Sequence, residues 1–199
     1  LRIWEKRSDK STDKNFIHAF AELERIKDKL VVSDAVVEKA AYIYRKIVEH
    51  KLTKGRHISI FVAASLYAAC RNTETPRTLT DVANGINIKR KDIARCYRLL
   101  LRELDLKMPV VNPIKCISRI SSIAELSEKT KRKAVDILDQ ATKIELSAGK
   151  DPMGLAAALY LSCAKNGEDK TQRDIAEAAN VTEVTIRNRY KWLKDSLNL

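Results

Sequence analysis

Cysteine, histidine and long apolar runs are scarce in this chain, and each scarcity removes a class of function. Four cysteines in 199 residues, Cys70, Cys96, Cys116 and Cys163, stand far apart with no CxxC pair, so the sequence offers no zinc site. Each lies among apolar or small neighbours, the setting of a reduced core thiol in an intracellular protein. The three histidines, His18, His50 and His57, are scattered, and Asp and Glu never group as a metal or acid–base set. A catalytic centre acting on nucleic acid therefore has nothing to be built from. His18 and His50 fall in helical segments, where they serve surface or packing, while His57 lies beside the basic Gly55–Arg56 loop with a phosphate contact open to it. No apolar run approaches the roughly 18 residues that a membrane span needs. The opening LRIWEKRSDK lacks the apolar segment of a secretory signal, and with Leu1 in place of Met the chain reads as a fragment. Alternating apolar and polar residues and hairpin signals, the marks of strands, are missing too.

What is plentiful is positive charge. Lys and Arg number 38 against 26 Asp and Glu, a net charge of +12, with a pI near 9.6. Such a field attracts polyanions, and nucleic acid comes before anionic lipid because no strongly basic amphipathic membrane helix stands out. The 45% hydrophobic and 32% charged fractions are those of a globular protein. The length allows one large domain or two small ones, each able to bury its own core.

An internal repeat decides for two. Cys70–Leu106 aligns with Cys163–Leu199 without a gap. Thr78, Asp81, Ala83, Asn87, Ile93, Tyr97, Leu100 and Leu104 return as Thr171, Asp174, Ala176, Asn180, Ile186, Tyr190, Leu193 and Leu197. Upstream, Ala63-Ala64 and Leu66-Tyr67 return as Ala156-Ala157 and Leu159-Tyr160, and Gly55 as Gly149 after a one-residue slip. The junction around Pro109 and Pro113 reads as a linker, since proline interrupts helix. This divides the chain into 1–14, a leading segment, 15–106, a first unit, 107–112, the linker, and 113–199, a second unit.

Helical periodicity predicts five helices per unit, in the first at Asn15–Leu30, Asp34–Lys51, Ile58–Asn72, Thr78–Gly85 and Arg90–Leu104. Ser33 is placed to cap the second, and Gly55 follows its end, where a left-handed backbone costs glycine least. The third, ISIFVAASLYAAC, is apolar around most of its circumference and belongs in the middle of the unit.

The sharpest local signal is TQRDIAEAANVTEVTIRNRY, Thr171 to Tyr190, which reads as a helix-turn-helix with Asn180 at the tight turn and Ile175, Ala176, Val181 and Ile186 inward. LTDVANGINIKRKDIARCYR repeats it in the first unit. The outward faces of the two last helices differ. In the second unit Glu183, Val184, Arg187, Asn188 and Lys191 form a base-reading set: valine meets a thymine methyl, arginine grips guanine, and a polar neighbour fixes a phosphate. In the first the face is Arg90, Lys91, Arg95, Arg98 and Arg102, which suits phosphates or acidic protein groups. A lone helix-turn-helix is as often packing architecture as a reader. Two copies with contrasting faces on a strongly basic chain favour DNA binding with divided roles.

These segments resemble the family of archaeal transcription factor B and eukaryotic general transcription factor IIB. The likeness runs through LRIWEKR, FAELERI, GRHISIFVAASLYAACR, PRTLTDVA, IKRKDIARCYR, SAGKDPMGLAAALYL and TQRDIAEAANVTEVTIRNRYKWL, nearly the whole chain. It implies an all-α fold of two tandem five-helix cyclin-like repeats, each ending in a helix-turn-helix. It also implies a monomeric factor that binds TATA-binding protein on bent promoter DNA, reads a purine-rich element upstream of the TATA box, and bridges to RNA polymerase. By motif, Val184 and Arg187, supported by Thr185 and Asn188, would enter the major groove of that element, and Thr171 and Arg173 would hold phosphates. Arg90, Lys91, Arg95 and Arg98 would face the acidic stirrup of TATA-binding protein or nearby backbone, and Lys54, Gly55 and Arg56 the DNA downstream of the TATA box. LRIWEKR matches the end of the family's N-terminal linker. The family's zinc ribbon is missing from this sequence, so no cofactor is expected here and zinc only in that ribbon. The resemblance places the protein in the cytoplasm with the nucleoid if archaeal, and in the nucleus if eukaryotic. The rival function for the same fold is a cyclin-type protein-binding scaffold without sequence-specific DNA binding.

Overall fold

The computed structural model describes residues 10–53, 55, 57–109, 113–143 and 156–198. The chain is all-helical among these residues and divides into two units, Leu1–Pro109 and Val110–Leu199. Unit 1 holds α1 (Lys10–Leu30), α2 (Asp34–Glu49), α3 (Ile58–Asn72), α4 (Leu79–Ile86) and α5 (Arg90–Glu103). Unit 2 holds α6 (Pro113–Ile123), α7 (Glu128–Lys143), α8 (Ala157–Asn166), α9 (Gln172–Ala179) and α10 (Glu183–Leu197).

α3 runs through the middle of unit 1 because its sequence has almost no polar face to leave outside. Phe61 to Leu66 and Ala68 to Cys70 are all buried, and the helix touches α1, α2, α4 and α5. Its alanines keep the surrounding axes close, while Phe61 and Leu66 fill the gaps between them at about 1.5–3 kcal/mol each. α8 does the same in unit 2 with Ala157, Ala158, Leu159, Leu161 and Cys163, against α7, α9 and α10. Each unit repeats one aromatic contact between its central and last helices. The Tyr67 and Tyr97 rings meet edge to face at 4.8 Å, and those of Tyr160 and Tyr190 at 5.2 Å. All four cysteines are buried free thiols. Burial pushes the Cys70 thiol up to about 12 and that of Cys163 to about 11, which leaves them unreactive.

Several expected boundaries shift, each for a local reason. α1 begins at Lys10 rather than Asn15, since no proline or glycine interrupts the chain there. α2 stops at Glu49 rather than Lys51, because Lys51 turns left-handed at φ 56°. Gly55 is left-handed as well, at φ 69°, but it serves the loop before α3 and not the helix end. Ser33 sits at the N-cap of α2 without a side-chain hydrogen bond to the helix. The Asp34 carboxylate beside it pairs with Lys27 of α1 and ties the two helices together. α4 and α5 begin and end within one residue of expectation.

Candidate nucleic-acid interface

The two helix-turn-helix segments are built from the same local chemistry. Thr171 opens α9 with a reciprocal cap: its hydroxyl accepts from the Asp174 backbone N–H at 3.2 Å, and the Asp174 carboxylate accepts from the Thr171 N–H at 2.8 Å. Thr78 and Asp81 do the same for α4, at 3.0 and 2.7 Å. The turns then depend on asparagine. Asn180 stands at φ 56°, ψ 44° and Asn87 at φ 55°, ψ 43°, the left-handed region that asparagine tolerates better than other side chains. The next N–H closes the turn backward, from Val181 to Ala176 at 3.0 Å and from Ile88 to Ala83 at 3.1 Å. With the turn set, Ile175, Ala176 and Ala179 of α9 and Ile186 and Leu193 of α10 are buried together.

That packing decides what α10 shows outside. Val184, Arg187, Asn188 and Lys191 are all exposed and share one stripe at helical spacing, with Val184 57% exposed. Thr185 is only half-buried, and its hydroxyl is shared with that of Thr182, the N-cap of α10, at 2.8 Å. It supports the start of the helix more than it faces outward. Arg187 donates from Nη2 to Glu183 Oε1 at 2.5 Å and from Nε to Gln172 Oε1 at 3.4 Å. Arg173 is exposed at the first turn of α9 and pairs with Glu177 at 2.9 Å, which raises its already high pKa. The Thr171 hydroxyl also donates to Asp174 Oδ2 at 2.8 Å, so its side chain is committed to the cap.

The α5 face is of another kind. Arg90, Lys91, Arg95 and Arg98 are exposed, and none has an ion-pair partner among the described residues. Arg102, toward the helix end, pairs with its neighbour Glu103 at 2.9 Å. Lys91 stands where α10 has Val184, and Ala94 where it has Arg187. Gly55 is exposed in the loop before α3, while Lys54 and Arg56 lie outside the described residues. No group of His, Cys, Asp and Glu able to hold a metal occurs among the described residues, and no helix there is long and apolar enough to cross a membrane.

Sequence reasoning thus finds the exposed stripe of α10 and the cations of α5. It misses Gln172, whose role depends on a contact across the turn that spacing does not show. The Glu183–Arg187 pair carries a visible signal, an acid four residues before a base on one helix.

Comparison with known proteins reports the same repeat. The transcription factor TFIIB repeat matches residues 12–103 and again 106–196. Transcription initiation factor IIB of Sulfurisphaera tokodaii is 48% identical over all of this chain, and that of Pyrobaculum arsenaticum 46%. The chain spans 65% and 61% of the lengths of these two relatives. Among solved structures, a chain of the CAK complex from Chaetomium thermophilum bound to ATP-gamma-S aligns at TM-score 0.42 and 18% identity, covering 92% of this chain and 61% of that one. With two consecutive copies of the repeat filling it and such identity along its full length, the chain belongs to the transcription factor IIB family.

Proposed function

We propose that this chain is the promoter-binding core of a general transcription initiation factor. It joins TATA-binding protein on promoter DNA, reads the element upstream of the TATA box through α10, and bridges the assembly to RNA polymerase. The observation that carries this reading is the contrast between two otherwise matching helices: α10 exposes Val184, Arg187 and Asn188, and α5 exposes four cations, Arg90, Lys91, Arg95 and Arg98. An apolar side chain beside a guanidinium on the outer face of a helix-turn-helix suits base edges, where a thymine methyl and a guanine lie close together. A face dominated by cations suits an anionic surface, here an acidic face of TATA-binding protein or nearby phosphates. The relatives' names support the role in initiation.

Within this reading Val184 and Arg187 enter the major groove, Asn188 and Lys191 flank them, and Thr185 keeps the helix start in place. Arg173 holds phosphate at the start of α9, with Thr171 acting through the cap. Arg90, Lys91, Arg95 and Arg98 dock the protein partner. Lys54, Gly55 and Arg56 belong to the DNA side of unit 1 by family likeness alone. The factor acts by binding and not by catalysis, needs no cofactor in this part of the chain, and works as a monomer where the genome is. Affinity for duplex alone is modest, since one reading helix covers few base pairs and DNA bent by a partner presents both units' contacts together.

Footprinting on a TATA promoter with and without TATA-binding protein tests the proposal. Protection extending upstream of the TATA box only when both proteins are present is the expected result. Failure to form a ternary complex even at low salt would favour a cyclin-type scaffold instead.

A further inference from the structure

The Arg187 guanidinium is engaged on one edge by two acceptors from its own helix-turn-helix. Glu183 accepts from Nη2 and Gln172 from Nε, at 2.5 and 3.4 Å. Nε and Nη2 lie on the same side of the planar group, so these two acceptors occupy the side edge. The end edge, made by Nη1 and the outer Nη2 hydrogen, meets no acceptor among the described residues. Its two parallel donors match the O6 and N7 acceptors that guanine presents in the major groove.

An exposed Glu–Arg pair at this spacing is common and weak when taken alone. Two observations set this one apart. It has a third member from another helix, since Gln172 is the first residue of α9 while Glu183 and Arg187 belong to α10. The repeat also supplies an internal comparison. At the matching places unit 1 has Leu79, Arg90 and Ala94, yet its helix-turn-helix keeps the same cap, the same left-handed asparagine and the same buried face. The fold does not require the three polar residues, and they occur only in the unit whose outer face can read bases.

We propose that Gln172 and Glu183 are positioning residues that hold Arg187 with its end edge outward, and that they set the sharpness of its base preference more than the strength of DNA binding. This rests on the reading of α10 as the DNA-contacting helix. An unrestrained arginine at a groove edge samples many rotamers and grips the nearest phosphate as readily as a base. Confining its side edge lowers the ordering cost of the one productive pose. The Glu183 carboxylate adds selection of its own, because it repels a phosphate approaching Arg187 but not an uncharged guanine edge.

The test uses the full chain with TATA-binding protein and a pool of duplexes carrying a TATA element flanked upstream by a randomised segment. The bound fraction is sequenced for the parent protein and for Arg187→Ala, Gln172→Leu, Gln172→Glu and Glu183→Gln. Leucine is a tolerated residue at this place in the fold, as Leu79 shows in unit 1, and melting curves check each variant. Arg187→Ala should erase preference at one base pair. Gln172→Leu should weaken preference at that same pair by about 3- to 10-fold while total binding changes by less than about 2-fold. Gln172→Glu, which keeps an acceptor, should restore it, and Glu183→Gln should weaken it while raising binding to random sequence. Full preference retained by Gln172→Leu and Glu183→Gln, beside its loss in Arg187→Ala, would refute the holder and leave the reading helix standing. Loss at every position together with a lowered melting temperature in Gln172→Leu would also refute it, as a structural effect. Preference unchanged in Arg187→Ala would overturn the assignment of α10 itself, and the holder with it.

Discussion

Arg187 and Asn180 act through different physics at the scale of a single residue, and their replacements separate binding from folding. Arg187 is half-exposed and its hydrogen bonds go to Glu183 and Gln172 outside the buried core, so its loss should leave the unit's packing intact. Arg187→Ala should therefore weaken binding to the preferred duplex by about 1–3 kcal/mol and relax one base pair, with the melting temperature unchanged. Equal weakening across all upstream sequences would move Arg187 from a base to a phosphate. Asn180 touches no DNA in this scheme but holds φ at 56° in the turn on which α10 depends. Asn180→Ala should destabilise unit 2 by about 1 kcal/mol, whereas Asn180→Gly should fold with little or no loss. Chemical denaturation of both variants decides this, and equal stability of the alanine and parent proteins would show that the turn does not depend on asparagine. Asn180 and Val184 are legible in the sequence because asparagine between two apolar-periodic helices and an apolar residue off the buried stripe are both local signals. Gln172 is not legible, since its contact with Arg187 spans two helices.

At the scale of the element, the loop before α9 is tied to the loop before α7. Glu168 accepts from the Ser127 hydroxyl and from Thr130 Oγ1, the latter at 2.5 Å, while Asn166 Nδ2 donates to the same Thr130 oxygen at 2.8 Å. The Ser127 and Thr130 hydroxyls hold the Glu168 carboxyl below its ordinary range, outweighing the small opposing effect of burial. A carboxyl depressed in the folded state stabilises above its unfolded pKa, and that contribution disappears as pH falls through the folded value. The melting-temperature gap between the parent and Glu168→Gln should therefore be widest near pH 6 and close as pH falls below about 4. A gap that stays constant over that range would show the tie to be one of shape and not of charge. Unit 1 has no acid there: Thr75 stands at the matching place. The two units share helices and caps but close their loops differently. The matching run of residues predicts the former and is silent on the latter.

Over the whole molecule, the repeat, the helical class and the central place of α3 are read directly from the sequence. Each is carried by a periodic or duplicated pattern. Helix ends are harder, as Lys51 shows: a left-handed residue with no glycine or asparagine to announce it ends α2 early. The site lies between these cases, its outward side chains visible in the spacing and their partners not. What the sequence states most plainly for the whole chain, the net charge of +12, says nothing of where the anion lies. Salt dependence answers that by separating the two faces. Each phosphate contact removed should flatten the slope of log affinity against log salt by about 0.9 on duplex DNA. Lys191→Ala should do so whether TATA-binding protein is present or absent, with base preference kept. Lys91→Glu combined with Arg95→Glu should leave binding to duplex alone and its slope unchanged, yet weaken assembly once TATA-binding protein is added, because exposed cations meeting acidic protein groups act only in the ternary complex. A flattened slope on duplex alone for that double variant would place α5 on the DNA backbone, and the division of labour between the two helices would fall.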